Sequence, residues 1–314
     1  MDWEKVDWKA LKRLRAAFLD GTAGTQDYWR SDRDLESYDL TFGQRIRWKW
    51  DYVLNELTGR GWLPPPGDVV DWGCGSGIAT RAFLEHFTFD TPPRLIFWDR
   101  SPLAVRYAAR MAREAMLSVD VWLDKPPEHA FGTLLLSHVL TELSADQIDE
   151  LIPLAAHATT VIWVEPGTHE TSRRLIAVRE RLRGIFQIVS PCTHQAACGM
   201  LTPENERHWC HHFAPSPPGV FMDGNWARFA KLAGVDLRTL PLSFLVLDKR
   251  PQESGANVMR VIGRPRVYKA HALLLGCDSR GVREYQVTKR LEPEAFRRLK
   301  KGEITPYFPK PGET

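Results

Sequence analysis

The spacing of apolar positions changes character three times along the chain. Over residues 1–60 they recur with helical period, first Leu11, Leu14, Ala17 and Phe18, then Ile46, Trp50, Val53, Leu54 and Leu57 with basic residues between. This pattern predicts an N-terminal helical segment. Beyond Pro64-Pro65-Pro66-Gly67, strand-length apolar runs alternate with helical ones. The strands are 68–72, 94–99, 119–124, 132–139 and 160–166; the helices end at Phe87, start at Pro102 and span about 145–157. Such alternation requires crossover connections and predicts an α/β fold with a parallel, doubly wound sheet. Residues 184–225 break the rhythm with Cys, His and Pro, and from 241 onward short β-rich runs return, ending in a helix near 292–301. The expected organisation is a helical segment (1–60), a core (61–183), a cysteine-rich insertion (184–225), the end of the core (226–264) and a basic β-rich segment (265–314).

Composition adds a size and a compartment. A chain of 314 residues, 43% hydrophobic, buries a sizeable core. No stretch approaches the roughly 18–20 apolar residues of a membrane span. The N-terminus carries Asp2, Glu4 and Asp7 and no apolar signal core, so a cytoplasmic, bacterial-type protein without a membrane partner is expected. In a reducing compartment the five cysteines read as ligands or core residues, not disulfides. The net charge of +3 conceals an asymmetry: residues 248–303 hold fourteen Lys/Arg against seven Asp/Glu. This tail is a candidate surface for a polyanion, with Arg260, Arg264, Arg266, Lys269, Arg280 and Arg283 as RNA-binding candidates. The alternative is a solvated basic face.

The first chemical motif, Asp71-Trp72-Gly73-Cys74-Gly75-Ser76-Gly77, lies directly after a predicted strand and before a helix. Its glycines bring a ligand against main-chain amides at a helix N-terminus. The spacing is G-x-G-x-G, whereas a dinucleotide loop uses G-x-G-x-x-G. It resembles the first motif of class I S-adenosylmethionine-dependent methyltransferases, which makes Asp71, Gly73, Gly75 and Gly77 cofactor-binding candidates. Asp99 closes the next strand, 22 residues past Gly77, where an acid accepts ribose hydroxyls. Asp124 closes the third strand and is either a partner for the adenine amino group or a mere strand-end carboxylate. Cys74 reads as a small buried loop residue. After the fourth strand, Ser137-His138-Val139-Leu140-Thr141-Glu142 faces the ligand side of the sheet. His138 and Glu142 are the candidate bases, with helix capping or packing as the competing roles. Thr168 is placed to cap a helix carrying Arg173, Arg174, Arg179, Arg181 and Arg183, which either touch RNA or are solvated.

Cys192, Cys198 and Cys210 lie on an irregular segment, and Cys277 in a turn between two predicted strands. Four thiolates suit zinc or an iron–sulfur cluster, and neither C-x5-C nor C-x11-C is a short zinc knuckle. His194, His208, His211 and His212 are possible substitutes in a zinc site; four unconnected buried cysteines are the third possibility.

DWGCGSG, SHVLTEL, VEPGTHETSRRLIAVRERL, PCTHQAACGM and HWCHHF together resemble the Rsm22 family of ribosomal small-subunit methyltransferase-like proteins over roughly residues 30–290. The resemblance implies a class I methyltransferase fold and a [4Fe–4S] cluster on Cys192, Cys198, Cys210 and Cys277. It also implies association with the small ribosomal subunit and its rRNA during assembly. The family's C-P-H is Cys192-Thr193-His194 here, and Gly199 stands where a proline is expected after the second cysteine. Three functions follow as expectations: an rRNA methyltransferase, a non-catalytic assembly factor retaining the fold, or a small-molecule methyltransferase with a structural zinc. DNA is not expected as a partner. The C-x3-C-x2-C spacing of radical enzymes is lacking, so the cluster is expected to be structural or sensing.

Overall fold

The structure, a computed structural model, describes residues 2–21, 27–115, 120–123, 126–252, 258–303 and 305–309. In chain order the elements begin with α1 (Trp8–Leu19), α2 (Asp32–Tyr38), α3 (Gln44–Gly59), β1 (Val69–Trp72), α4 (Ile78–His86), β2 (Leu95–Trp98) and α5 (Pro102–Ala115). Next come β3 (Val121–Trp122), β4 (Phe131–Ser137), α6 (Ala145–His157), β5 (Ala158–Pro166), α7 (His169–Leu182), β6 (Gln187–Ser190) and β7 (His212–Ala214). The chain closes with α8 (Gly224–Ala233), β8 (Leu240–Asp248), β9 (Val258–Val267), β10 (His271–Asp278), β11 (Gly281–Thr288), α9 (Pro293–Lys300) and β12 (Tyr307–Pro309). It divides into two units, 1–165 with 213–240, and 166–212 with 241–314.

In the first unit the strands run in the order β3-β2-β1-β4-β5, each neighbour parallel. Parallel neighbours buried on both faces need continuous apolar runs, and all but the last residue of β4 is buried. The order runs outward one way from β1 to β3 and the other way from β4 to β5. With right-handed crossovers that reversal puts helices on both faces and opens a crevice beyond the carboxyl ends of β1 and β4. The predicted 119–124 strand is shorter than expected: β3 is two residues long, and Asp124 lies outside the described residues.

The N-terminal helices form part of this unit. Leu14, Trp29 and Leu35 pack with Ala104 and Tyr107 of α5, while Val6, Leu11 and Phe42 pack with Trp226, Phe229 and Ala233 of α8. Ile46, Trp50, Val53, Leu54 and Leu57 of α3 are buried, as their spacing predicts, and Lys49 is buried with them. Asp7 caps α1 by accepting from the backbone N–H of Lys9 and Ala10, and Ser144 and Gln147 cap α6 reciprocally.

In the second unit β6 and β8 are antiparallel, and a separate antiparallel sheet has the order β11-β10-β9-β12. Alternate residues of this sheet, among them Met259, Val261, Ala272, Leu274 and Val287, form a core with Phe296 and Leu299 of α9. The remaining basic positions of α9 face away from that core. No helix among the described residues is long and apolar enough to cross a membrane.

Candidate functional site

The glycine loop follows β1 and opens α4. Gly77 sits at φ +73°, and a Cβ there would lie 2.8 Å from the Cβ of Ala108, so only glycine allows α4 to start against α5. A Cβ at Gly73 would come within 2.7 Å of Val139 Cγ1. The loop is tied to the end of β2: Gly73 and Cys74 N–H donate to the Trp98 carbonyl at 2.8 and 3.1 Å. The Asp99 carboxylate accepts from Gly75 N–H at 2.9 Å and from Ser101 N–H at 2.8 Å. Burial pushes the Asp99 carboxyl above its ordinary pKa, and these two donors pull it back. Trp72 and Trp98, the last residues of β1 and β2, stack with centroids 4.7 Å apart.

Gly73, Gly75, Asp99, His138 and Glu142 border one cavity of about 620 Å³, a size suited to a small-molecule cofactor. Asp71, expected to bind a cofactor, does not line it. Its carboxylate instead accepts from Thr80 Oγ at 2.6 Å, holding the first turn of α4, and burial raises its pKa to about 7. Gly77 likewise acts from behind, through the start of α4. Cys74 is buried, as expected for a small loop residue.

On the other wall, Glu142 receives the Tyr28 hydroxyl at 3.4 Å and lies 3.6 Å from the Arg100 guanidinium. Burial lifts its carboxyl to about 7 and Arg100 opposes the shift. His138 has φ +59°, a left-handed conformation unusual outside glycine, directly after β4. Glu165, at the end of β5, fixes the next peptides by accepting from Val139 and Leu140 N–H, both at 3.0 Å, and from Trp163 Nε1 at 2.7 Å. Burial brings Glu165 up to about 7. His138 Nε2 is 3.4 Å from Lys49 Nζ. Burial, with Arg45 nearby, lowers Lys49 to about 7, and burial with Lys49 and Arg45 lowers His138 well below its usual range. The imidazole is therefore neutral. Sequence reading missed Lys49, Glu165 and Tyr28. Lys49 was detectable, since it lies three residues from Ile46 and four from Val53 on the apolar stripe of α3.

Cys192, Cys198, Cys210 and Cys277 border a second cavity, of about 40 Å³, inside the second unit. All are free thiols, as expected. Cys277 is within β10, not in the following turn, directly opposite Arg260 of β9. Ser172 of α7 and Ser243 of β8 both donate to the Cys210 carbonyl, at 2.7 and 2.6 Å. His194 Nε2 is 3.6 Å from the Cys277 sulfur and His212 Nε2 is 3.7 Å from that of Cys210. Burial raises the Cys198 thiol to about 11 and also raises Cys210 and Cys277, reinforced in each case by the neighbouring thiols. Among the described residues no three His, Cys, Asp or Glu converge closely enough for a single metal ion. The thiols surround a volume instead of meeting at a point.

Two arginines complete this cavity and correct two expectations. Arg260, an RNA-binding candidate, is 2% exposed; it donates to Tyr307 Oη at 2.6 Å and contacts His212 Nδ1 at 3.2 Å. Strand pairing turns it inward, out of reach of a surface polyanion. Arg179, read as RNA-facing or solvated, is 3% exposed and donates to the Ala196 carbonyl at 2.8 Å. Arg173 similarly donates to the Met200 carbonyl at 3.0 Å. Thr168 does cap α7 through Thr171 N–H. Gly199 gains a reason: a Cβ there would lie 2.8 Å from Gly281 Cα, so the cysteine segment meets the β10–β11 turn backbone to backbone. Arg264, Arg266, Lys269, Arg280 and Arg283 are exposed, with Arg266 paired to Glu284 and Arg280 to the buried Asp278.

A family profile described as mitochondrial small ribosomal subunit Rsm22 matches residues 52–306. The chain belongs to the Rsm22 family. A search of curated proteins finds no match. Solved structures similar to this Rsm22-family chain include the magnesium protoporphyrin IX methyltransferase of Synechocystis PCC 6803 with bound S-adenosylmethionine. It is 12% identical, covers 77% of this chain and 97% of that one, and has a TM-score of 0.42. The plantazolicin methyltransferase BamL with bound S-adenosylhomocysteine is 11% identical over 76% of this chain and 98% of that one, TM-score 0.42. A candidate RNA methyltransferase of Pyrococcus horikoshii is 11% identical over 64% of this chain and 84% of that one, TM-score 0.40. At such scores the likeness adds nothing to the fold of this Rsm22-family chain, which rests on its strand order.

Proposed function

We propose that this Rsm22-family protein binds S-adenosylmethionine in the first unit, carries a [4Fe–4S] cluster in the second, and methylates rRNA of the small ribosomal subunit during its assembly in the cytoplasm. The observation that carries the first part is the Gly75 N–H to Asp99 clamp beside a cavity at the carboxyl ends of β1, β2 and β4. Asp99 would accept the ribose hydroxyls, and the glycine loop, its Gly73, Cys74 and Gly75 amides held by Trp98 and Asp99, would let the methionine portion lie close against the backbone. Bound S-adenosylmethionine would supply an electrophilic methyl group. The chain's own work is positioning and exclusion of water. Glu142 and neutral His138 border the same cavity and are the groups placed to hold an acceptor or take its proton.

The residues around the second cavity fit a cluster. Four thiols border a volume, and two buried arginines lie against them, Arg179 also paired with Glu180 and Arg260 also bonded to Tyr307 and His212, so that positive charge acts on the sulfurs. The contacts of His194 and His212 to two of the sulfurs match the hydrogen bonding that orients and tunes cluster ligands. Bound there, a cluster would cross-link the cysteine segment to β10. A single zinc fits less well, because no three ligands converge.

A second reading, a non-catalytic assembly factor, is favoured by one observation. His138 faces Lys49, and Glu142 is engaged by Tyr28 and Arg100, so both candidate bases already have partners. Titration with S-adenosylmethionine, followed by methyl transfer to small-subunit rRNA, tests the site and separates the readings. Asp99→Ala should weaken binding roughly 100-fold and slow transfer with it. If assembly function survives Asp99→Ala but fails in Arg264→Ala with Arg266→Ala, the chain is a binding factor.

A further inference from the structure

At the end of the antiparallel sheet in the second unit, residues 268–270 link β9 to β10. The Tyr268 N–H donates to the His271 carbonyl at 2.8 Å, closing a tight turn. The two rings stack across it, centroids 4.7 Å apart and 19° from parallel. Tyr268 is nevertheless 47% exposed, an uncommon place for a large ring that no core requires. The register brings the end of β11 alongside: His271 pairs with Thr288, and Lys289 N–H donates to the Ala270 carbonyl at 2.9 Å.

This arrangement gathers Lys269, Lys289 and Arg290, all exposed, around the ring pair. Next to the turn, with Tyr268 and Lys269 outside its border, lies an open depression of about 680 Å³ bordered by Ala270, His271, Gln286, Thr288, Lys289, Arg290 and Leu291. No carboxylate borders it among the described residues. A flat aromatic face, two neutral hydrogen-bonding side chains and three cations together match the parts of a nucleotide: base, sugar and phosphate.

We propose that this sheet end is a binding site for an unpaired RNA nucleotide, its base stacked on Tyr268 and its flanking phosphates held by Lys269, Lys289 and Arg290. The proposal rests on the rRNA reading above and names the RNA state it requires. A duplex cannot use the site, because its bases are already stacked on each other.

Fluorescence anisotropy of the full-length protein with a fluorescein-labelled single-stranded oligoadenylate, and with a duplex of equal length, tests this. Tyr268→Ala should weaken single-strand binding about tenfold and leave duplex binding unchanged, while Tyr268→Trp retains affinity. Neutralising Lys289 and Arg290 with glutamine should flatten the log–log salt dependence by about 0.7 per residue. Unchanged single-strand affinity in Tyr268→Ala would overturn the site, as would displacement of the oligonucleotide by an equal charge of polyglutamate. Cosedimentation with small ribosomal subunits keeps two failures apart. A wild-type protein that cosediments but does not bind the oligonucleotide loses this site only, whereas one that does neither loses the ribosomal reading as well.

Discussion

The two cavities are built on opposite principles. The larger one is bordered by residues 72–76 of one continuous motif, by the end of the next strand, and by the segments that precede α2 and follow β4, with the Asp99 carboxylate held by Gly75 N–H. The smaller one takes thiols 85 residues apart in the chain, Cys192 to Cys277, and encloses them with apolar side chains and two buried arginines. The first is roomy and bordered by Glu142, whose carboxyl is raised to about 7, so it suits a ligand that enters and leaves. The second is far smaller, about 40 Å³, and burial disfavours ionised thiols there, so it suits a group held by the thiols themselves.

The sharpest way to break that contrast is to remove one thiol. Cys210→Ser should take the anaerobically purified protein from about four irons per chain to nearly none, with loss of absorbance near ~400 nm. Because the binding free energy of such a group is also folding free energy, stability should fall by roughly 5 kcal/mol or more in denaturant titration. Retained iron, or one equivalent of zinc in the wild type, would end the cluster reading.

Next in size is Arg179→Met. If the thiols hold a negatively charged cluster, deleting a buried counter-charge should cost about 3 kcal/mol and weaken iron retention. Without a cluster, methionine would still release the Glu180 ion pair and the Ala196 hydrogen bond, so the protein would lose stability with no change in iron content. The two outcomes separate in iron retention, not in the sign of the thermal shift.

Asp99→Ala probes the exchangeable site. Losing a carboxylate that would accept two ribose hydroxyls should reduce affinity for S-adenosylhomocysteine roughly 100-fold by calorimetry, about 2.7 kcal/mol, near the low end for two charged hydrogen bonds. Iron content should not change. A parallel loss of iron would show that the two cavities are not independent.

The same contrast explains what the sequence could reveal. A glycine loop after one strand and an acid after the next follow a fixed spacing, so the position of Gly73, Gly75 and Asp99 beside one cavity was legible, as were the alternating elements around them. Asp71 was misplaced because a motif gives residue order, not the direction a carboxylate takes, and Thr80 claims this one. The cysteines were legible as a set but their enclosure was not. Arg260 counts as one more charge in a basic tail until strand pairing sets it opposite Cys277. Arg179 was similarly hidden, since a helix with five arginines reads as solvated until its buried face is known. Lys49 and Glu165 were missed because a buried charge is identified by what surrounds it, and those neighbours come from three separate elements.

The smallest predicted effect concerns Lys49, and its sign depends on pH. In the folded protein Lys49 loses its proton near 7, against 10.5 in the unfolded chain. Between these values the unfolded state binds more protons, so the contribution of Lys49 to stability is fully present above 10.5 and declines as pH falls toward 7. Lys49→Met removes that dependence. Relative to the variant, the wild type should lose on the order of 1–3 kcal/mol between alkaline and neutral pH, read from urea midpoints across the window. Glu165 and Arg45 also face Lys49, so Glu165→Gln should deepen the decline by removing the one neighbour that favours the charged amine. A wild type and a Lys49→Met variant with parallel pH profiles would mean that Lys49 stays charged in the folded state. The neutral His138 beside it, and with it the acceptor side of the larger cavity, would then need a different electrostatic account.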